Sequence, residues 1–165
     1  MRNEVVLVND NDEITGRAPK LEAHRKGLLH RAFSVVIFNS KGEILLQQRA
    51  FGKYHSAGLW SNTCCSHPQP DENILESAGQ RLYEEMSFRV PLEYAGKFRY
   101  KAELENDMTE HEIDYVFRGY YDGEVTPDPD EVARYKWVSP EHLLSEFKTA
   151  PHLYTYWLPL VLKTI

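Results

Sequence analysis

Short runs of apolar residues, many of them β-branched, recur along the chain and predict strands. Residues 4–9 and 32–39 are two such runs. Residues 39–42 form a hairpin turn sequence with glycine where a positive φ is favoured, and residues 43–49 predict the returning strand. The pattern therefore predicts an antiparallel pair over residues 32–49.

Helical periodicity is strongest over residues 71–86, where apolar side chains recur at three- and four-residue steps and Asp71 is a candidate N-cap. A serine followed by proline predicts the start of another helix over residues 139–148. A shorter helical turn is expected at residues 20–24. The last amphipathic segment begins near residue 153 and runs to the end of the chain.

A second strand pair is predicted in the C-terminal half of the chain. Residues 97–101 alternate basic and aromatic side chains, and residues 110–117 alternate acidic and apolar ones. The turn sequence at residues 105–107 would join them as antiparallel neighbours. A further short strand is predicted at residues 134–138.

The strand over residues 110–117 carries an unusual polar face. Glu110, Glu112 and Asp114 lie on one side by alternation, and three carboxylates there repel one another unless protons or a cation lie among them. Glutamate is also a poor strand former. The face is therefore either a metal site or a solvated sheet edge of the kind that discourages aggregation.

The segment Trp-Ser-Asn-Thr-Cys-Cys-Ser-His-Pro at residues 60–68 places a thiol and an imidazole two residues apart. If this segment is extended, Cys65 and His67 point to one side and Cys64 to the other. A thiol can transfer a proton, and an imidazole can bind a metal. The alternative is a pair of buried cysteines and a surface histidine.

Other polar residues could complete a site. His24 and His30 are candidate metal ligands if their loop folds back, and exposed loop histidines otherwise. Arg49, Lys53 and His55 form a small basic cluster, which could bind a phosphate or lie in solvent.

Composition limits the classes of function. The chain has 165 residues and a net charge of −6, which favours one domain and argues against a nucleic-acid partner. No apolar run reaches the roughly 18 residues of a membrane span, and residues 1–10 do not resemble a secretory signal. The two adjacent cysteines suggest free thiols in a reducing cytoplasm.

The segment at residues 60–68, the sequence Glu-His-Glu-Ile-Asp-Tyr, the two upstream histidines and the helix around Leu-Tyr-Glu-Glu at residues 82–85 together resemble type I isopentenyl-diphosphate isomerase, of the Nudix superfamily. The resemblance runs from about residue 20 to residue 157. It implies an α/β fold, an α/β/α sandwich around a mixed sheet, in a single domain over residues 1–165. Gln80 and Arg81 replace the usual Nudix Arg-Glu, Ser87 replaces a Nudix glycine, and Ser66 stands where many relatives have glycine.

The resemblance implies conversion of isopentenyl diphosphate into dimethylallyl diphosphate through a tertiary carbocation. It assigns the proton transfers and cation stabilisation to Cys65, Glu112, Tyr100 and Trp157. It assigns diphosphate binding to Lys20, Arg49, Lys53 and Arg81. It assigns one Zn or Mn ion to His24, His30, His67, Glu110 and Glu112, and a Mg ion to Glu85 and the diphosphate.

Two other functions remain open from the residues. A Nudix hydrolase would need more acids in the helix over residues 72–86 and no role for Cys65. A non-enzymatic metal-binding module would not explain the basic cluster or Trp157. The expected partner is the small-molecule substrate, with neither nucleic acid nor membrane, in a cytoplasmic monomer or weak homodimer.

Overall fold

The computed structural model describes residues 2–165, which form nine β-strands and four α-helices. In chain order the elements are β1 (Glu4–Val8), β2 (Ile14–Pro19), α1 (Lys20–Lys26), β3 (His30–Phe38), β4 (Ile44–Arg49), β5 (Trp60–Ser61), β6 (Cys64–Ser66), α2 (Ile74–Met86), β7 (Glu93–Glu103), β8 (Thr109–Tyr120), β9 (Val132–Val138), α3 (Pro140–Thr149), a 3₁₀ turn (Pro151–Leu153) and α4 (Leu158–Thr164).

Strand β3 is the centre of the mixed sheet. It pairs in parallel with β8 along its whole length and antiparallel with β6. Strand β8 pairs antiparallel with β7, while β4 pairs antiparallel with β5 and β9. The parallel register sets His30 beside Glu112, and the β6 register sets Ser34 beside Cys65. The central strand therefore brings together segments that are far apart in sequence.

Strand alternation divides the core into two layers. Phe33, Val35 and Ile37 pack on the side of α2, and Val36 packs on the side of α3 and α4. The residues that fill the first layer from α2 are Ala78, Leu82 and Met86, and those that fill the second from α3 and α4 are Leu143, Leu158 and Val161. The result is a mixed sheet between helices, which confirms the predicted fold class.

The start of α2 differs from the prediction. The helix begins at Ile74, and the Asn73 side chain accepts a hydrogen bond from the Glu76 amide at 3.1 Å. Asp71 lies outside the helix with φ of 69°, so it is not the N-cap. The end at Met86 is as predicted. Ser87 follows in the left-handed region with φ of 65°, a conformation that glycine adopts at lower cost.

The C-terminal segment is also interrupted where one amphipathic run was expected. Pro151 starts a 3₁₀ turn, the chain then extends through Tyr154, and α4 begins only after Trp157. This break lets Trp157 lie in the core at 3% exposure instead of on a helix surface.

Replacing Leu82 by alanine should lower the free energy of unfolding by about 2–5 kcal/mol, because it leaves a cavity in the layer beneath α2. Leu75→Ala in the same helix is the matched control, since Leu75 is 43% exposed; its effect should stay within about 0.5 kcal/mol. Urea unfolding at neutral pH measures both. Equal losses for the two variants would contradict the assignment of the buried face.

Candidate active site

Five potential metal ligands converge at one end of the β3–β8 pair. They are His24, His30, His67, Glu110 and Glu112, and one ligand atom from each lies within 4.8 Å of the others. All except His67 are fully or almost fully buried. Both predicted groups, the upstream histidines and the strand acids, are thus brought to the same place.

The backbone positions each of the three histidines at the ligand cluster. Helix α1 carries His24 and ends at Gly27, whose φ of 67° turns the chain towards β3. The parallel register then puts His30 beside Glu112, and His67 follows directly after β6. The β8 alternation points Glu110 and Glu112 to the same side.

Hydrogen bonds fix which imidazole nitrogen faces the acids. The Nδ1 atoms of His24 and His30 lie 2.7 and 2.8 Å from the Lys20 and Leu28 carbonyl oxygens, which can only accept, so Nδ1 carries the proton. The Nε2 lone pair of His30 then faces Glu112 Oε2 at 3.0 Å. Two facing lone pairs are repulsive unless a metal ion or a proton lies between them.

The donor set fits a divalent cation. His67 Nε2 lies 2.9 Å from the same Glu112 oxygen. Two ligand atoms at right angles, each about 2.1 Å from one ion, are about 3 Å apart. Imidazole and carboxylate together suit transition ions such as Zn or Mn. The five residues therefore fit a divalent metal site with the ligand set that the resemblance implies.

Burial and mutual repulsion act on the two glutamates when no ion is bound. Burial and then the neighbouring Glu110 charge raise the pKa of Glu112 well above its usual range. At Glu110, burial also favours the neutral form, but hydrogen bonds from Glu112 and His55 outweigh it and lower the pKa. The Tyr100 hydroxyl donates to Glu112 Oε1 at 2.8 Å. One proton is thus held on Glu112 while Glu110 keeps its charge.

Cys65 lies in a separate, hydrogen-bonded niche of the same cavity. Its Sγ donates to Asn62 Oδ1 at 3.1 Å and accepts from Trp157 Nε1 at 3.1 Å. Burial, and then the nearby Asp114 carboxyl, raise the pKa of the Cys65 thiol to about 11. Cys64 points into the α2 layer of the core instead. The opposite orientations of the two cysteines agree with strand alternation.

Asp114 is the third acid of the β8 face and also lines the cavity. Its Oδ2 accepts a hydrogen bond from Ser34 at 2.8 Å, and Oδ1 has no hydrogen-bond partner among residues 2–165. Burial raises the pKa of Asp114 to about 8. Strand alternation predicted that Asp114 shares a face with Glu112, but it gave no reason to place Asp114 beside Cys65.

The cavity has a volume of about 500 Å³ and combines the metal-ligand end with a cationic end. The four residues predicted to bind diphosphate, Lys20, Arg49, Lys53 and Arg81, all line it. The Nε atoms of Arg49 and Arg81 are buried without a hydrogen-bond partner in the described part of the chain. Burial and the neighbouring Lys53 charge lower the pKa of Lys20. An anion is the natural complement to such a group.

Glu85 does not belong to the five-residue cluster. It is 3% exposed, and its oxygens accept hydrogen bonds from Gln47 at 2.9 Å and Arg81 at 2.6 Å. Glu85 thus forms a largely buried ion pair with Arg81. Glu131 also lies 3.6 Å from Arg81 and contacts Lys53, a role that its Pro-Asp turn sequence gave no sign of.

The imidazole of His55 contacts an acid, whereas the sequence assigned this residue to a basic cluster. It is 3% exposed, and its Nε2 lies 2.8 Å from Glu110 Oε1. Arg2 is another residue that the sequence did not indicate; it lines the cavity and donates to the His67 carbonyl at 2.7 Å. Single residues in irregular segments such as these carry no periodic signal.

Comparison with known proteins identifies relatives over most of the chain. The family described as "NUDIX domain" matches residues 28–159. Isopentenyl-diphosphate Delta-isomerase 1 of Aromatoleum aromaticum is 48% identical over 158 residues, covering 96% of this chain and 89% of the relative. Isopentenyl-diphosphate Delta-isomerase of Pectobacterium atrosepticum is 48% identical over 162 residues, covering 98% and 90%.

Solved structures share the fold at lower sequence identity. DR0079 from Deinococcus radiodurans superposes with a TM-score of 0.79 at 18% identity, covering 98% of both chains. The MutT protein of Methanosarcina mazei gives a TM-score of 0.62 at 27% identity, covering 71% of this chain and 81% of that one. These similarities confirm the Nudix sandwich that the sequence motifs predicted.

Removing the metal should loosen the N-terminal part of the site. His24 and His30 flank the turn between α1 and β3, so chelation leaves their Nε2 lone pairs facing carboxylates. We expect faster amide hydrogen exchange over residues 20–30, measured by mass spectrometry. Residues 33–37 at the centre of β3 are the internal control and should change little. Unchanged exchange at residues 20–30 after complete metal removal, checked by elemental analysis, would exclude these histidines as ligands.

Proposed function

The chain belongs to the Nudix family, among its isopentenyl-diphosphate isomerases, and we propose that it converts isopentenyl diphosphate into dimethylallyl diphosphate for isoprenoid biosynthesis. The observation that carries the proposal is one cavity with proton-transfer groups at one end and four cationic side chains at the other, where the buried Nε atoms of Arg49 and Arg81 have no hydrogen-bond partner among residues 2–165. Moving the double bond of a diphosphate ester needs groups that transfer protons at the carbon end and cations that bind the diphosphate.

We propose that the cationic end binds the diphosphate. Arg49 and Arg81 can each offer a planar fork of N–H donors, while Lys20 and Lys53 add point charges. Glu85 forms an ion pair with Arg81 and fixes the position of its guanidinium. A fixed guanidinium in the cavity supports a role in binding phosphate. A Mg ion shared between the diphosphate and Glu85 would match the way this ion binds phosphates in proteins, with few protein ligands.

The carbon chemistry consists of two proton transfers. One proton is added to the terminal alkene carbon, which leaves a tertiary cation, and one is removed from the methylene carbon on the other side of that cation. We assign the two transfers to Cys65 and Glu112, one giving and the other taking a proton. After each turnover the donor has lost a proton and the acceptor has gained one, so a proton must return from the acceptor to the donor, directly or through solvent, before the next turnover.

Tyr100 and Trp157 support this exchange. Tyr100 donates to Glu112 Oε1, which fixes the direction of that carboxyl and supplies a further proton next to it. Trp157 lines the cavity, and its indole N–H holds the Cys65 sulfur. An aromatic face beside a desolvated cation contributes about 2 kcal/mol or more.

His24, His30, His67, Glu110 and Glu112 would hold a divalent ion, for which we propose Zn or Mn. When bound, this ion would order Glu112 and supply positive charge that tunes its proton affinity. The chain's own contribution is the fixed direction of the imidazoles and the exclusion of water from the buried glutamates.

The setting that we propose is a cytoplasmic enzyme of one Nudix domain over residues 1–165, active on a small molecule without nucleic acid. Free Cys64 and Cys65 support a reducing compartment. No helix within residues 2–165 is long and apolar enough to cross a membrane. A monomer or weak homodimer is the proposed state.

Incubation with isopentenyl diphosphate, followed by separation of the products, tests the function. Isomer formation is expected. Release of inorganic phosphate would instead indicate a hydrolase, and no reaction by metal-loaded protein would favour a binding module.

The two cysteines give a matched pair in the same assay. Cys65→Ala should lower kcat by about 10²–10⁴-fold, as expected for loss of an acid–base group, because Sγ faces the cavity. Cys64→Ala should retain most activity, because its thiol lies in the α2 layer. Equal loss of activity at both positions would contradict the assignment.

Variants of the diphosphate-binding residues and of the residues near the cation should affect different kinetic constants. Lys53→Ala should mainly raise KM, because a diphosphate is bound in ground and transition states alike. Trp157→Phe should mainly lower kcat and weaken an ammonium analogue of the cation more than it weakens the substrate. Steady-state kinetics and competitive inhibition measure both. If Trp157→Phe weakened substrate and analogue equally with kcat unchanged, the indole would be only a wall of the cavity.

A further inference from the structure

His55 is a buried imidazole that the proposed reaction does not use. It is 3% exposed, it lies in the loop between β4 and β5, and the five-residue metal cluster does not include it. Its Nε2 lies 2.8 Å from Glu110 Oε1, and its Nδ1 lies 3.1 Å from the Ser56 hydroxyl. Both ring nitrogens are therefore engaged in fixed contacts.

The proton position on this imidazole follows from its partners. A carboxylate only accepts, so Nε2 carries the N–H that is donated to Glu110. The Ser56 hydroxyl then donates to Nδ1. The Ser56 amide donates in turn to Glu105, and Arg49 donates to the His55 carbonyl at 3.1 Å. The loop around His55 is thus held on both sides, although Ser56 must adopt a φ of 53°.

The contact with His55 leaves one oxygen of Glu110 for the metal cluster. Its Oε1 is occupied by His55, whereas its Oε2 lies 3.6 Å from His24 Nε2 and 3.3 Å from the Tyr100 hydroxyl. Only Oε2 faces the other ligand atoms. A carboxylate without a partner on Oε1 could rotate or present both oxygens.

Resting on the metal site of the proposed function, we propose that His55 is a positioning residue that holds Glu110 as a ligand through one oxygen. It acts through Glu110 and does not itself bind the ion. Outer partners of metal ligands fix orientation, and their loss typically costs about 10–100-fold in metal affinity.

The test measures affinity for Co(II) and Zn(II) by competition between metal-free protein and a chromophoric chelator. His55→Phe keeps an aromatic ring but removes the donor, and it should weaken binding about 10–100-fold. His55→Gln can still donate an N–H and should recover most of the affinity. His152→Phe, the same change at an exposed histidine, should bind as wild type does.

A second variant covers the case in which His55→Phe does not fold. Ser56→Gly suits the positive φ and removes only the hydroxyl that fixes the ring, so a smaller weakening of the same sign is expected. X-ray absorption of the Zn-loaded wild type should count three imidazoles. Four imidazoles, or wild-type affinity in both His55→Phe and Ser56→Gly, would overturn the proposal. Since the readout is metal affinity, an isomerase-inactive wild type would refute the proposed function alone.

Discussion

The parallel register of β3 and β8 sets His30 beside Glu112, and the rest of the site depends on that pairing. It buries two neighbouring carboxylates on one strand face, where like charges and desolvation both oppose folding. A cation at that point converts the repulsion into attraction, so ion binding and folding of this end of the sheet must be thermodynamically coupled. The hydrogen bonds of His24 and His30 to backbone carbonyls fix their lone pairs towards the acids, so the site is arranged for a cation before one binds.

The two ends of the cavity differ in electrostatic character. At one end, Lys20, Arg49 and Arg81 gather positive charge in a chain whose net charge is −6. Glu85 and Glu131 partly neutralise and orient these cations, which limits their mutual repulsion when no anion is bound. At the other end, buried acids hold protons. The charged diphosphate of the substrate would be favoured at the cationic end, which leaves its hydrocarbon part at the end with the acids and Cys65. The distribution of charge therefore favours one orientation of the substrate.

Much of this arrangement could be predicted from the sequence because it rests on periodicity. Alternation over residues 110–117 identified the acidic face, and alternation at Cys64 and Cys65 identified which thiol faces the cavity. The convergence of His24 with that face could not be obtained from spacing, because it depends on a turn at Gly27 and a non-local register; the family resemblance supplied it. Asp71 was assigned as the N-cap although Asn73 holds that position, since several capping residues precede α2. His55 was grouped with nearby cations because sequence proximity does not show the direction of a side chain in a loop.

The surroundings of Cys65 keep its sulfur protonated before the reaction begins. Burial raises the pKa of the thiol to about 11, so the sulfur is protonated at neutral pH. Asn62 enforces the protonated form geometrically, because its amide group donates to the Val35 and Cys64 carbonyls and leaves only Oδ1 facing the sulfur. An acceptor fixed at that point favours S–H over S⁻. The same burial makes the sulfur a proton donor, and the hydrogen bond from Trp157 Nε1 would stabilise the thiolate that is left once the proton has been given.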